Sequence, residues 1–172
     1  MQQFNIALKA RCEHIDVVRA FLISHNARFV GTDCQKDTYF NVPNGRLKFR
    51  EGNMENVLIH HDGSALPDPN SGHVTLFTVQ AGEQDCLKNL LDKAIGITRI
   101  IEKQREVYFI ENVKFHLDEV QGLGDFVEIE AIDVDDSIGA EQLARQCQGY
   151  KEALGIREED MLPHSYSELS PV

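Results

Sequence analysis

Three stretches of the chain repeat apolar residues at helical spacing, and eight alternate them at the period of a strand. The first helix is expected over residues 14–26, where Ile15, Val18 and Leu22 share a face. The second covers 84–95, where Leu87, Leu90, Leu91, Ala94 and Ile95 form an apolar stripe. Gly96 follows, at the position where helices often end on glycine. The third runs over 140–154, before Gly155. Strands are expected over 4–12, 38–42, 46–51, 57–61, 74–81, 98–110, 113–120 and 126–132. Asn44-Gly45 marks a turn between two of them, and Gly122-Leu123-Gly124 joins the last two. Residues 62–72 (DGSALPDPNSG) read as a loop. Without βαβ alternation or internal repeats, the pattern predicts one α+β domain over 1–172, with an antiparallel sheet able to close into a barrel.

Charge then narrows the function. The formal net charge is −11, with 17 Lys+Arg against 28 Asp+Glu, which argues against a sequence-independent nucleic-acid binder. The excess is unevenly placed. Residues 118–136 hold eight acids and no Lys or Arg, which leaves only −3 for the remainder. No apolar run approaches the ~18 residues of a membrane span, and the start lacks the features of a signal peptide, so a cytoplasmic protein with no membrane partner is expected. Cys12, Cys34, Cys86 and Cys147 form no CxxC pair and read as reduced thiols, mostly in the core or half-buried. His60 and His61 are adjacent on a strand, face opposite ways and cannot chelate one ion together. No nucleophile motif, Walker loop, GxGxxG or HExxH is present.

Residues two apart on a strand share a face. Arg46, Lys48 and Arg50 therefore lie on one face, with Leu47 and Phe49 behind; Lys9 and Arg11 share a face, as do Lys103 and Arg105. A row of three cations repels itself unless an anion or acids lie opposite. Glu128 and Glu130 also share a face, with Val127 and Ile129 on the other. If residues 122–124 form a symmetric loop, Asp118 faces Glu128 and His116 faces Glu130. Two acids so opposed need a nearby cation: Lys, Arg or a metal ion. Acids without cysteine suit a hard ion such as Mg²⁺ or Mn²⁺, and convergent Lys and Arg suit a polyphosphate. Basic strands and an acidic hairpin around one cavity would make a metal–triphosphate site.

The arrangement resembles the CYTH superfamily of triphosphate tunnel metalloenzymes, especially its class IV adenylyl-cyclase-like branch. The matching residues are Lys9-Ala10-Arg11, Asp37-Thr38-Tyr39-Phe40, GRLKFRE over 45–51 and Leu58-Ile59. They continue with Lys103-Gln104-Arg105, His116-Leu117-Asp118, GLGDFVEIE over 122–130 and Ser165-Tyr166-Ser167. The resemblance implies an eight-stranded antiparallel β-barrel with flanking helices, open as a tunnel. It implies that Lys9, Lys48, Arg50, Lys103 and Arg105 bind phosphate oxygens, with Arg11 and Arg46 as weaker members. Asp118, Glu128 and Glu130 would be the carboxylates for Mg²⁺ or Mn²⁺. Relatives convert ATP to cyclic AMP and pyrophosphate, or hydrolyse thiamine triphosphate, tripolyphosphate or RNA 5′-triphosphate ends, and a homodimer is expected by the same resemblance.

One departure bears on activity. The family's first-strand ExExK motif reads Asn5-Ile6-Ala7-Leu8-Lys9 here. Asn5 keeps one neutral carbonyl oxygen and Ala7 offers no ligand, so weaker metal binding is expected. Three functions follow: a cyclase that turns ATP into cyclic AMP, a metal-dependent triphosphatase, or a protein that binds a triphosphate without turning it over.

Overall fold

Alternation sends apolar side chains outward under helices and charged ones inward, the reverse of a sheet with one wet face. The structure, a computed structural model, describes residues 2–62, 72–162 and 165–169. The strands are β1 (Gln2–Arg11), β2 (Arg28–Phe40), β3 (Arg46–Glu51), β4 (Asn56–His61), β5 (Gly72–Thr78), β6 (Ile97–Ile110), β7 (Val113–Val120) and β8 (Gly124–Asp133). The helices are α1 (Ile15–Ser24), α2 (Gln84–Ile95), α3 (Ala140–Ala153) and a short α4 (Tyr166–Leu169). The strands pair antiparallel in the order β1-β5-β4-β3-β2-β6-β7-β8, and β8 returns to β1 from Phe4↔Asp133 to Arg11↔Phe126, closing the sheet in a ring. Residues 63–71 of the expected loop lie outside the described residues.

The main core lies outside the ring. Leu143 and Cys147 of α3 and Val18 and Leu22 of α1 pack on Ile6, Ala10, Phe115, Leu117, Val127 and Ile129. On the ring's far side Leu87, Leu91 and Ile95 of α2 cover Phe40, Phe49 and Val79. The i, i+4, i+8 spacing explains which face of α2 is covered, and Leu90, between those positions, remains exposed. Each fully buried large side chain contributes roughly 1.5–3 kcal/mol.

Three expectations change. The second strand begins ten residues before position 38. Its middle, residues 32–37, has polar side chains on both faces, with Asp33, Gln35 and Asp37 alternating with Thr32, Cys34 and Lys36, and a register shift falls between Phe29 and Gly31; both features hide the period from hydropathy. The fifth strand spans Gly72–Thr78 and ends three residues early.

The β7–β8 hairpin also differs in register. The turn is residues 121–123, closed by Leu123 N–H donating to the Val120 carbonyl at 3.0 Å, and Gly124 is already paired with Val120. Gly122 (φ 76°) and Gly124 (φ 96°) take the positive angles this turn needs. His116 therefore faces Glu128, Lys114 faces Glu130 and Asp118 faces Phe126; the expected Asp118–Glu128 and His116–Glu130 pairs do not form. A two-residue slip keeps every side chain on its own face, so the acids still point inward.

Candidate anion-binding tunnel

The ring encloses a cavity reached by side chains from all eight strands. Every strand directs one parity inward. Lys9 comes from β1, Arg46, Lys48 and Arg50 from β3, Lys103 and Arg105 from β6, and Glu128 and Glu130 from β8. Of the seven cations expected to bind phosphate, six line the cavity. Arg11 stands at the rim, exposed, with Nη1 donating to the Leu123 carbonyl at 3.1 Å and its guanidinium 5.2 Å from the Phe126 ring. Asp118 is fully buried behind Arg105 rather than on the cavity wall.

Asp37 organises the basic side. Arg50 donates to it through Nε at 2.8 Å and Nη2 at 3.0 Å, Lys103 Nζ at 2.6 Å and Lys48 Nζ at 3.2 Å. One carboxylate thus holds three cations, and Arg50 Nη1 also donates to Glu55 at 3.0 Å, so the cluster sets three cations against two acids. Burial alone would raise the Asp37 carboxyl, but Arg50, Lys103 and Lys48 outweigh it and hold the pKa well below the usual range. The lysines bear the strain. Burial lowers Lys103 to about 7 and Lys48 to about 8; Asp37 opposes this, while Arg50 and Arg105 add to it.

The acidic side is internally paired. Arg105 donates to Asp118 through Nε and Nη2, both at 2.5 Å, and to Glu128 through Nη2 at 3.1 Å; this guanidinium is the cation that the acids of the hairpin require. Burial opposes ionisation of Asp118, but Arg105 prevails and brings it to about 2. Lys9 Nζ lies 3.4 Å from Glu128, and His116 Nδ1 donates to the same carboxylate at 3.1 Å. His116 is held well below its ordinary pKa by burial, then by Arg105 and Lys114, so it is a neutral imidazole. Glu130 accepts Asn5 Nδ2 at 2.5 Å.

Several cavity residues carried no separate assignment in the sequence. Asp37 lies in a matching segment, yet nothing local says that one acid gathers cations from β3 and β6. Lys114 alternates with His116 and Asp118, and that parity was the signal that could have found it. Tyr166, in α4, is brought in from the far end of the chain. Its hydroxyl donates to Asp118 at 2.6 Å, its ring lies 4.9 Å from Phe126 and Lys9 Nζ sits 4.1 Å above it. The arc formed by β4 and β5 is apolar: Val57, Ile59, Val74 and Leu76.

A hard divalent cation takes anionic oxygens with lone pairs to spare. Here Asp118 and Glu128 are each committed to Arg105, Glu128 also to Lys9, and Glu130 accepts the Asn5 amide. The cavity-facing positions 5 and 7 carry Asn and Ala, and the buried Asn5 Oδ1 and His116 Nε2, which have no hydrogen-bond partner, are both neutral acceptors. Among the described residues no group of three His, Cys, Asp or Glu side chains could hold a metal ion. The donor set does not fit a protein-built metal cage.

A closed ring of antiparallel strands with an inward, cation-rich lining defines a tunnel protein whose interior suits an anion. The chain belongs to the CYTH domain family, whose model matches residues 3–166. That family binds triphosphate substrates and depends on divalent metals. The chain is 24% identical to adenylate cyclase CyaB of Aeromonas hydrophila over 180 residues, covering 97% of this chain and 88% of that one. Among solved structures it resembles the PH1012 protein of Pyrococcus horikoshii, with a TM-score of 0.82 at 26% identity, covering 97% of this chain and 99% of that one. It also shares its fold with a Hippeastrum protein described as having a dominant triphosphatase activity, with a TM-score of 0.63 at 16% identity, covering 97% and 93%. No helix among the described residues is long and apolar enough to cross a membrane.

Proposed function

We propose that the protein binds a triphosphate-bearing small molecule in the tunnel and catalyses phosphoryl or nucleotidyl transfer on it. The carrying observation is the Asp37 cluster, where Lys48, Arg50 and Lys103 share one carboxylate and only Arg50 has a second acid, Glu55, so cations outnumber acids. A triphosphate supplies the missing negative charge. Arg50 and Arg105, whose forks grip Asp37 and Asp118, offer phosphate oxygens their delocalised charge and remaining N–H groups, and Lys9, Lys48 and Lys103 offer point charges. All are prepositioned by ion pairs in a mostly buried setting, where fixed charges stabilise negative charge developing on phosphate oxygens without reorganising. Membership of the CYTH family and the names of its relatives support turnover: attack of the ribose 3′-hydroxyl of ATP on the α-phosphorus forms cyclic AMP and releases pyrophosphate, and attack by water on the terminal phosphorus releases phosphate.

A second reading is binding without turnover, and Asn5 and Ala7 at cavity-facing positions favour it. Incubation with ATP, thiamine triphosphate and tripolyphosphate in Mg²⁺ or Mn²⁺ separates the two. Cyclic AMP with pyrophosphate, or inorganic phosphate, is expected. Saturable binding with no product from any substrate would leave the binding reading alone, and absence of binding would remove both.

A further inference from the structure

We propose that a triphosphate binds in this tunnel without a divalent cation, its charge being met by the protein's own amines and guanidinium groups. This inference rests on the reading of the tunnel as a triphosphate site and concerns binding, not turnover. In a metal-dependent phosphate site, carboxylates hold the ion and the ion holds the phosphates, so acids and bases are needed in comparable number. Here seven basic side chains line the cavity (Lys9, Arg46, Lys48, Arg50, Lys103, Arg105 and Lys114) against four acidic ones. Counting Asp118 behind Arg105, and the exposed Glu168 at 3.9 Å from Arg46, basic side chains still outnumber acidic ones among the described residues.

The first strand is where the balance tips. Asn5, Ala7 and Lys9 all face the cavity, and Asn5 and Ala7 pair beside β8 at Ile132 and Glu130. A carboxylate at either position would stand next to Glu130 and require a cation. Instead Asn5 donates its amide to Glu130, which satisfies that carboxylate without one. On the opposite wall, Lys48, Arg50 and Lys103 converge on Asp37, and a second acid, Glu55, meets only Arg50, at 3.0 Å, so three cations face two acids. A divalent cation entering there meets repulsion; a polyanion meets three donors and relieves their mutual repulsion. The depressed lysines of this cluster point the same way, since a bound anion favours their charged form.

The test is calorimetric titration of the whole protein with sodium tripolyphosphate, in EDTA and then in Mg²⁺. The wild-type affinity in EDTA is expected to lie within about threefold of that in Mg²⁺. In Asn5→Glu/Ala7→Glu the EDTA affinity should fall at least tenfold and be recovered by Mg²⁺ or Mn²⁺. The single substitution Asn5→Asp, checked for a native thermal transition, tests the same point if the double variant does not fold. Wild-type binding seen only with metal, or an EDTA affinity unchanged in the acid-bearing variant that folds, would overturn the proposal while preserving the tunnel reading. No binding of tripolyphosphate, ATP or thiamine triphosphate under any condition would overturn the tunnel reading itself.

Discussion

Asp37 and Lys103 lie 66 positions apart in the chain and 2.6 Å apart in the fold, and their contact sets the pH behaviour of the site. Lys103, near 7, and Lys48, near 8, face Asp37, Arg50 and Arg105. A bound triphosphate favours their charged forms and raises both values, so binding takes up protons between the free and bound pKa values. Affinity for tripolyphosphate is therefore expected to be greatest below pH 7 and to fall as pH rises through 7 to 9. A flat profile in calorimetry across that window would refute it. Arg105 has a different role. Removing it in Arg105→Ala leaves Asp118 buried with only the Tyr166 hydroxyl, and breaking such a pair costs about 3–5 kcal/mol. Urea unfolding should show that loss. In Lys114→Ala, whose amine lies loosely over the Phe109 ring at 5.9 Å, stability should change by less than ~1 kcal/mol.

At the scale of elements, each strand has two tasks, an outer face that holds helices and an inner face that holds charge. The outer task belongs to residues such as Leu143, fully buried where α3 crosses β1 and β8. Leu143→Ala is expected to cost about 2–5 kcal/mol in urea unfolding while leaving triphosphate affinity unchanged, because the cavity it creates lies outside the ring. A parallel loss of affinity would show that the two faces are not independent. The hairpin shows why parity is more robust than register. Moving the turn to residues 121–123 displaced each cross-strand pair by two positions, yet Asp118, Glu128 and Glu130 kept their inward direction. Arg105 reaches both Asp118 and Glu128 although those two do not pair across the hairpin.

For the whole molecule, a net charge of −11 belongs to a chain whose described cavity carries the opposite sign. Ring closure explains the contrast: inward parity collects Lys and Arg from β1, β3, β6 and β7, while many acids of the 118–136 stretch, including Glu119, Asp135 and Asp136, face solvent. All four cysteines are free thiols; Cys147 is buried and Cys12 half-buried as expected, whereas Cys34 and Cys86 are exposed.

The strands after position 40, the three long helices and the inward rows of charge were legible in the sequence because side-chain direction is a local property of the backbone. A period of two on a strand, or of 3.6 on a helix, needs no knowledge of neighbours. The early start of β2 was not legible, since polar residues on both faces erase the period. The contribution of Tyr166 was not legible as chemistry either, since its contact with Asp118 spans 48 positions. Sequence alone determined which side chains travel together on one face. Only the tertiary structure decided that those faces turn inward, that Lys48, Arg50 and Lys103 meet on Asp37, and that Arg105 holds the acids of the hairpin. Those partners are chosen by ring closure and by the register of distant strands, neither of which is written in local spacing.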